Sequence, residues 1–327
     1  MGYSPYDIVG IGNAIVDIIA VADDAFLAKQ SMAKGTMTLV DERRADAIYA
    51  DMPRSLVRSG GSAANTAAGV GFLGGRPAFI GKVRNDRFGT AFRSDIQAAG
   101  TTFRTPAGSS GPATARSLIL VTPDGERTMA TYLGAAATFG PPDLNVELIR
   151  AAKIAHFEGY LYDERGGRAV VRLAAAIACA AGRKVSLSLS DIFCVERHRR
   201  AFINLIETNV DIVLGNAEEM MSLFRTKSLD ALLARLKTMG KIMVVTRGAL
   251  GSVIVTPHDT FAVPAVPVAR VIDSTGAGDM YCAGFLFGIA SGTTPREAAH
   301  LGSLASAQVI RHLGARPEHA LEHIAVG

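Results

Sequence analysis

Cysteine is scarce: the 327 residues contain only Cys179, Cys194 and Cys282. None stands in a CxxC pair, so neither a disulfide framework nor a zinc site is expected, and a reducing, cytoplasmic setting fits best. Long apolar runs are also missing. No window reaches about eighteen uninterrupted apolar residues, and the N-terminal stretch lacks a basic segment followed by a cleavable apolar core. The expected protein has no membrane partner and is not exported. Nor is there a Lys/Arg block. The net charge of +4 is spread along the chain, which argues against a nucleic-acid partner and leaves a small anionic metabolite as the more plausible ligand.

Several familiar motifs are incomplete. Gly10-Ile11-Gly12 opens like a dinucleotide fingerprint, but Ile15 stands at the third glycine position. Gly81-Lys82-Val83 has neither the spaced glycine nor the Ser/Thr of a phosphate-binding Walker loop, and no Gly-x-Ser-x-Gly elbow occurs. His319 to His323 spells HxxEH, a zinc-peptidase pattern, but only four residues follow it. With no room for a downstream ligand, a terminal helix is the better reading. Solenoid-length repeats and low-complexity tracts are absent too.

What is present is an ordinary globular composition, 49% hydrophobic and 20% charged. The length allows one large α/β domain with a small appendage, or two modest domains. "YDIVGIGNAIVDIIA" (6–20) reads as a buried strand ending near Gly12, then a second extended piece after Asn13. "GGSAANTAAGVGFLGG" (60–75) is small-residue-rich and helical, followed by the strand "PAFIG". Between 115 and 135, "ARSLILVT" and "ERTMATYL" hinge on Pro123, Asp124 and Gly125, which predicts a hairpin.

A regular alternation follows: strand "KIAHFEGYL", helix "AVVRLAAAIACAAG", strand "KVSLSLS", helix "AFINLIETN", strand "DIVLGN", helix "LDALLARLKTMG", strand "KIMVVTRG". This rhythm predicts a parallel sheet covered by helices. A hairpin of "GSVIVTP" and "FAVPAV" comes next. Thr294-Pro295-Arg296-Glu297 then has the cap, proline and acid of a capping box opening the last helix. Ligands of open parallel sheets bind beyond the carboxyl ends of the strands. Gly12-Asn13, Gly215-Asn216, Arg247-Gly248 and Ser274 to Asp279 are each expected to follow a strand and to converge there.

The stretch "VIDSTGAGDMYCAGFLFG" (271–288) changes from turn residues to an apolar helical run. Gly276, Ala277 and Gly278 leave backbone N–H groups unobstructed at a helix start, where the dipole favours an anion. Asp279 is badly placed beside a transferred phosphate unless it accepts the proton of an attacking hydroxyl. A tight turn with an acid in the first helical turn would give the same spacing.

These residues resemble a known family. Asp273-Ser274-Thr275-Gly276-Ala277-Gly278-Asp279 is similar to the DTxGAGD signature of the ribokinase (PfkB) family of ATP-dependent carbohydrate and nucleoside kinases. Gly60-Gly61-Ser62-Ala63-Ala64-Asn65 resembles its second signature, Asn216 to Glu219 its NxxE, and Thr246 to Gly251 its TxGxxG nucleotide segment. Four motifs occur in the family's order.

The resemblance implies Asp279 as catalytic base and an anion hole at Gly276, Ala277 and Gly278. It implies magnesium organised through water by Asn216 and Glu219, and ATP contacts at Asn216, Thr246, Gly248, Gly251 and Ser303, with Ala307 near the adenine. The phosphoryl acceptor would meet Asn13, Asp17, Gly61, Ser62 and Asn65. Asn13 and Asp17 suit adjacent sugar hydroxyls, although a solvent-facing loop carboxylate is the plain alternative for Asp17. Some members need a monovalent cation, potassium for instance, which Asp273 and Thr275 would help bind.

"GNAIVD", "GTMTLVDE" (35–42) and "YLGAAATF" (132–139) look most like the adenosine kinase branch. By that likeness Leu133, Gly134 and Ala135 line a nucleoside pocket and Arg127 reaches the phosphates from a lid. The base-stacking aromatic aligns at Tyr160 or Leu161, of which only Tyr160 could stack.

The expected fold is a single ribokinase-like α/β domain over 1–327, a doubly wound, mostly parallel sheet with helices on both faces. A small β-rich lid is expected from about 14–41 and 106–134. The expected activity is transfer of the γ-phosphoryl group of MgATP to a nucleoside 5'-hydroxyl, adenosine first, by a monomer or homodimer. A ribokinase- or fructokinase-like sugar kinase is the alternative, and a noncatalytic nucleoside-binding protein of the same fold a further one.

Overall fold

Successive side chains of a strand point to opposite faces, and in the central strands both faces are apolar. Val9 and Ile11 of Tyr6–Ile11 enter one core, and Ile8 the other. Phe79 of Pro77–Ile80 likewise faces away from Ala78 and Ile80. A strand buried on both sides requires a helical layer on each side. The computed structural model, which describes residues 4–317, has that arrangement.

Nine strands form the main sheet. From one edge they are Thr260–Val263, Ser252–Val255, Ile242–Thr246, Ile212–Asn216, Lys184–Ser188, Ala152–Glu158, Tyr6–Ile11, Pro77–Ile80 and Thr102–Phe103. All pairings are parallel except the two at the Thr260–Val263 edge. Arg165–Ala180, Ile192–Thr208 and Ala217–Phe224 contribute to one core. Ser62–Phe72, Arg87–Ala98, Ala277–Ser291 and Pro295–Val309 contribute to the other. Tyr6–Ile11 lies between Pro77–Ile80 and Ala152–Glu158. The order of connection reverses there, which opens a crevice at the carboxyl end of the first strand.

A second sheet of five strands runs Met37–Leu39, Arg127–Tyr132, Ala115–Val121, Ile15–Val21, Leu56–Gly60. Its hairpin turns at 122–126, where the Thr122 hydroxyl donates to Asp124 and the Gly125 amide to the Thr122 carbonyl. Leu56–Gly60 lies outside the two segments expected for the lid; its single buried flank, Ser59 and Gly60, is too short to show a period.

Ser62–Phe72 crosses Ala277–Ser291 at close range. A Cβ on Gly69 would come within 2.6 Å of Ala283 Cβ. The second helix is buried nearly all round, from Met280 to Gly288, because it lies between that neighbour and Pro295–Val309. A helix apolar on every face belongs inside a layer. The last helix begins with the expected capping box, Thr294 with Glu297.

Three expectations need correction. The strand expected to lead into the DTxGAGD-like motif, "FAVPAV", ends at Val263, and the chain reaches Ser274 as loop, with Val271 and Ile272 exposed, in keeping with Pro264 and Pro267, which cannot donate to a ladder. "KIAHFEGYL" stops as a strand at Glu158 and continues as a 3-10 turn, Gly159–Asp163. The helix read from "AFINLIETN" starts earlier, at Ile192, capped by the Asp191 carboxylate. The HxxEH stretch lies outside the described residues. Among the described residues no helix is long and apolar enough to cross a membrane, and all three cysteines are free.

Gly61 ties sheet to helix. It has φ +96°, and a Cβ there would stand 2.1 Å from the Asn13 carbonyl oxygen. Gly61→Ala is therefore expected to lower the unfolding free energy by about 2 kcal/mol, read from urea denaturation. A loss under about 0.5 kcal/mol would show that the Asn13 turn yields.

Candidate active site

Asp279 is the third residue of the helix Ala277–Ser291, and Gly276 caps that helix in the left-handed region at φ 72°. The Ser62 hydroxyl donates to Asp279 Oδ1 at 2.7 Å. Asn65 Nδ2 donates to Oδ2 at 2.9 Å, and Thr66 Oγ1 donates to the Asp279 carbonyl at 3.3 Å. Two helix N-termini thus meet at one carboxylate. Burial raises the Asp279 pKa, while the bonds from Ser62 and Asn65 and the charge of Arg316 act against that rise. The result is a carboxyl group more basic than that of an ordinary aspartate.

The glycines around this carboxylate have separate reasons. Gly276 must be glycine: its φ is positive and a Cβ would lie 2.4 Å from the Ala315 carbonyl oxygen. Gly278 need not be, since its φ is ordinary and a Cβ would meet no atom within 4 Å. A glycine with neither strain nor crowding to explain it leaves open space above the helix N-terminus, where an anionic group can approach the amides.

The first strand ends in the same place. Glu158, 1% exposed, accepts the Asn13 amide at 2.9 Å and the Ala63 amide at 2.8 Å. A side chain on Gly12 would strike its Oε2 at 2.3 Å. Burial raises Glu158 to about 7, against the two backbone hydrogen bonds. Glu158 was not among the expected residues. Its only trace in the sequence is an acid closing an otherwise buried strand.

Asp17 sits in the strand Ile15–Val21, paired with Arg58 and Ser117 on its flanks, and is not a solvent-facing loop acid. A Cβ on Gly60 would lie 2.2 Å from its Oδ2. The glycine pair therefore has two functions: Gly60 makes room for the Asp17 carboxylate, and Gly61 lets the chain pass Asn13. Burial pushes Asp17 up to about 7, with Arg316 and Arg127 opposing.

Arg127, at the start of the strand Arg127–Tyr132, pairs with Asp273 at 3.2 Å. Its Nε and Nη2 are buried and make no hydrogen bond among the described residues. Asp273 is fully engaged, taking Thr275 N and Oγ1 on Oδ1 and the Gly314 amide on Oδ2. Burial alone would raise its pKa, but these bonds and Arg127 hold it below the ordinary value.

The other expected residues fall into three groups. Leu161 is 2% exposed and belongs to the core. Tyr160 is only partly buried, with its amide on Ser190 Oγ. Burial, Asp191 and Asp279 all raise the Tyr160 phenol, so of the two residues it is Tyr160 that lies within electrostatic reach of the site. Leu133, Gly134 and Ala135 occupy the 3-10 turn region directly after the strand Arg127–Tyr132, with Ala135 buried and its amide on the Ala113 carbonyl.

At the far end, Asn216 pairs across the sheet with Thr246. Asn216 also forms a capping box with Glu219: its Oδ1 takes the Glu219 amide, and its amide and Nδ2 donate to the two Glu219 oxygens. Gly248 and Gly251 both have positive φ, and Gly251 lies against the Val263 carbonyl. A cavity of about 200 Å³ lies between the segment 266–269 and Leu304, Ala307, Gln308 and Arg311 of the last helix. Ser303, one turn before Ala307, is buried.

The chain is similar to several known proteins. It is 45% identical to the adenosine kinase from Sinorhizobium meliloti, covering 97% of both chains with a TM-score of 0.90. It is 42% identical to a probable sugar kinase protein from Rhizobium etli CFN 42, covering 97% of this chain and 96% of that one, again with a TM-score of 0.90. Among curated proteins it is 26% identical to adenosine kinase from Saccharomyces cerevisiae over 97% of this chain and 98% of that protein. The model for the pfkB family carbohydrate kinases matches residues 39–321. With Asp279, the glycines that precede it and the Gly60-Gly61 pair meeting in one crevice, the chain belongs to the pfkB family of carbohydrate kinases.

Proposed function

We propose that the protein transfers the γ-phosphoryl group of ATP to the 5'-hydroxyl of a nucleoside, adenosine first. The observation that carries this reading is the Asp279 carboxylate, held by Ser62 and Asn65 beside the open helix N-terminus at Gly278. A hydroxyl bound there can replace or share one of those donors and give its proton to Asp279. The raised pKa suits such a base. Relatives named as adenosine kinases over nearly the whole chain support the nucleoside.

Bound MgATP would supply the electrophilic phosphoryl group. The space above Gly278 and the free donors of Arg127 fit its phosphates, and the cavity beside Ala307 offers an apolar wall for its adenine. Thr246, Gly248 and Gly251 would border the phosphates. Glu219 is buried and both its oxygens are engaged by Asn216, so this pair would hold magnesium only through water, in keeping with the ion's tendency to retain its hydration. Asp273 and Thr275 would help hold a potassium ion through the oxygen lone pairs left beside the Thr275–Asp273 hydrogen bonds.

The acceptor would lie between the main sheet and the five-stranded sheet, which we read as a lid on a single kinase unit. Asn13 and Asp17 would take the sugar hydroxyls, with Gly61, Ser62 and Asn65 below. Leu133, Ala135 and Tyr160 would offer a flat base its apolar surroundings. A lid that excludes water protects the phosphoryl group from hydrolysis. A sugar kinase is the second reading, favoured by the Rhizobium etli relative.

Three outcomes follow. Asp279→Asn should reduce kcat by about 10² to 10⁴ while ligand binding is nearly retained; turnover within a few-fold of wild type would remove Asp279 as the base. Adenosine should exceed ribose and fructose in kcat/KM by about 10², because burying on the order of 100 Å² of base contributes roughly 2.5 kcal/mol. Equal or better use of a free sugar would reject the nucleoside and leave the kinase standing.

The third outcome concerns Asp17. Its folded pKa of about 7 lies above the ordinary 3.8, so its contribution to stability is fully present below about pH 4 and is lost as pH rises through 7. Asp17→Asn should therefore raise Tm at pH 8, by on the order of 2 °C, more than at pH 4.5, while impairing acceptor use. Equal Tm changes at both pH values would contradict the buried carboxylate.

A further inference from the structure

After the helix Pro295–Val309 the chain returns to the base. The Gly314 amide donates to Asp273, and the Ala315 carbonyl packs under Gly276. The next side chain, Arg316, is 9% exposed. Its Nε donates to Asn65 Oδ1 at 2.9 Å, and its Nη1 donates to Ser59 Oγ and lies 3.4 Å from Asp95 Oδ2. The Ser59 amide and hydroxyl both donate to the same Asp95 oxygen. The guanidinium is thus anchored by the strand Leu56–Gly60 and the helix Arg87–Ala98, and it points its Nε at Asn65, while Nη2 is buried without a hydrogen bond among the described residues.

Asn65 has one acceptor oxygen and one donor nitrogen. Arg316 has only donors, so it selects the amide orientation that places Oδ1 toward itself and Nδ2 toward Asp279. The opposite orientation would set an amide oxygen against the carboxylate and an amide N–H against the guanidinium. We propose that Arg316 is a positioning residue for phosphoryl transfer, fixing the Asn65 amide so that it donates to Asp279 and holding a permanent positive charge behind that carboxylate. The inference rests on the reading of Asp279 as the base.

The charges around this pair come from every neighbouring element. Asp17 and Arg58 of the five-stranded sheet and Asp95 of the helix Arg87–Ala98 act on the guanidinium, Glu158 of the main sheet is coupled to Asp279, and Arg127 acts on Asp17. Asp17, Asp95 and Asp279 each act on the guanidinium, and burial lowers Arg316 to about 10, so it stays charged at neutral pH. Its charge opposes the burial that raises Asp279 and Asp17. Removing it lets both pKa values rise further. A base must be ionised, so the acid limb of the kcat/KM profile should move to higher pH.

The test compares Arg316→Met and Arg316→Lys with wild type and Asp279→Asn, using the acceptor that wild type turns over fastest. Arg316→Met should lower kcat by about 10- to 100-fold, with the ATP KM changed only a few-fold, and move the acid limb up by about one unit. Arg316→Lys keeps the charge and loses the fork; its limb should stay near wild type while kcat falls several-fold. On the Asp279→Asn background, Arg316→Met should cost under about two-fold, because its route runs through Asp279.

If folded Arg316→Met has wild-type kcat and an unshifted limb, Arg316 is only structural and the proposal fails. If Arg316→Met does not fold, wild-type kcat in Arg316→Lys overturns it. Wild-type enzyme that ignores adenosine but uses another acceptor counts against the nucleoside reading alone. Undiminished Asp279→Asn counts against the base.

Discussion

The hydrogen bonds from Ser62 and Asn65 to Asp279 join residues 217 and 214 positions apart. They form only if two helices approach almost backbone to backbone, and the glycines set that approach. Gly69 admits Ala283 and Met280, while Gly284 and Gly288 admit the last helix on the opposite side. Any added side chain on these faces would push the helices apart and lengthen the bonds to the carboxylate. The packing of three helices and the basicity of one acid are therefore a single constraint.

A second constraint is electrostatic. Asp17, Glu158 and Asp279 lie close enough that Asp279 raises both of the others. Buried carboxylates at such spacing disfavour each other's ionisation. The site offsets this with directed hydrogen bonds, two backbone amides on Glu158 and two side-chain donors on Asp279, and with two arginines, Arg127 and Arg316. Only Arg127 lies in a stretch whose role the family resemblance suggested. The balance is incomplete, since both Asp17 and Glu158 remain near 7, and such residual strain is common where stability has been traded for chemistry.

The five-stranded sheet links these two constraints. It carries Asp17, Arg58 and Arg127 toward the crevice on three of its strands, while Ser117 and Thr131 hydrogen-bond to each other at 2.9 Å between them. Arg127 reaches across to Asp273, so the sheet is connected to the loop that opens the helix Ala277–Ser291. A sheet holding a cation over that loop can bring charge to a phosphate and shield it from water at the same time.

The alternating strands and helices, the hairpin at 123–125 and the capping box at Thr294 were legible in the sequence because each depends on local periodicity or turn chemistry. The motif glycines were legible for a related reason: an open helix N-terminus requires small residues in consecutive order. Glu158, Asp95 and Arg316 were not, because each acts on a partner far away in the chain and leaves no local pattern. The end of the strand "FAVPAV" at Val263 was misread because apolar residues on either side of a proline look the same whether or not a neighbouring strand exists to pair with them. The choice between Tyr160 and Leu161 depended on where the strand stopped and the 3-10 turn began. The sequence by itself determined the elements and the chemistry available at Asp279. Only the tertiary structure decided which distant donors and charges surround that carboxylate, since hydrogen bonds and Coulomb forces act through space and are blind to separation along the chain.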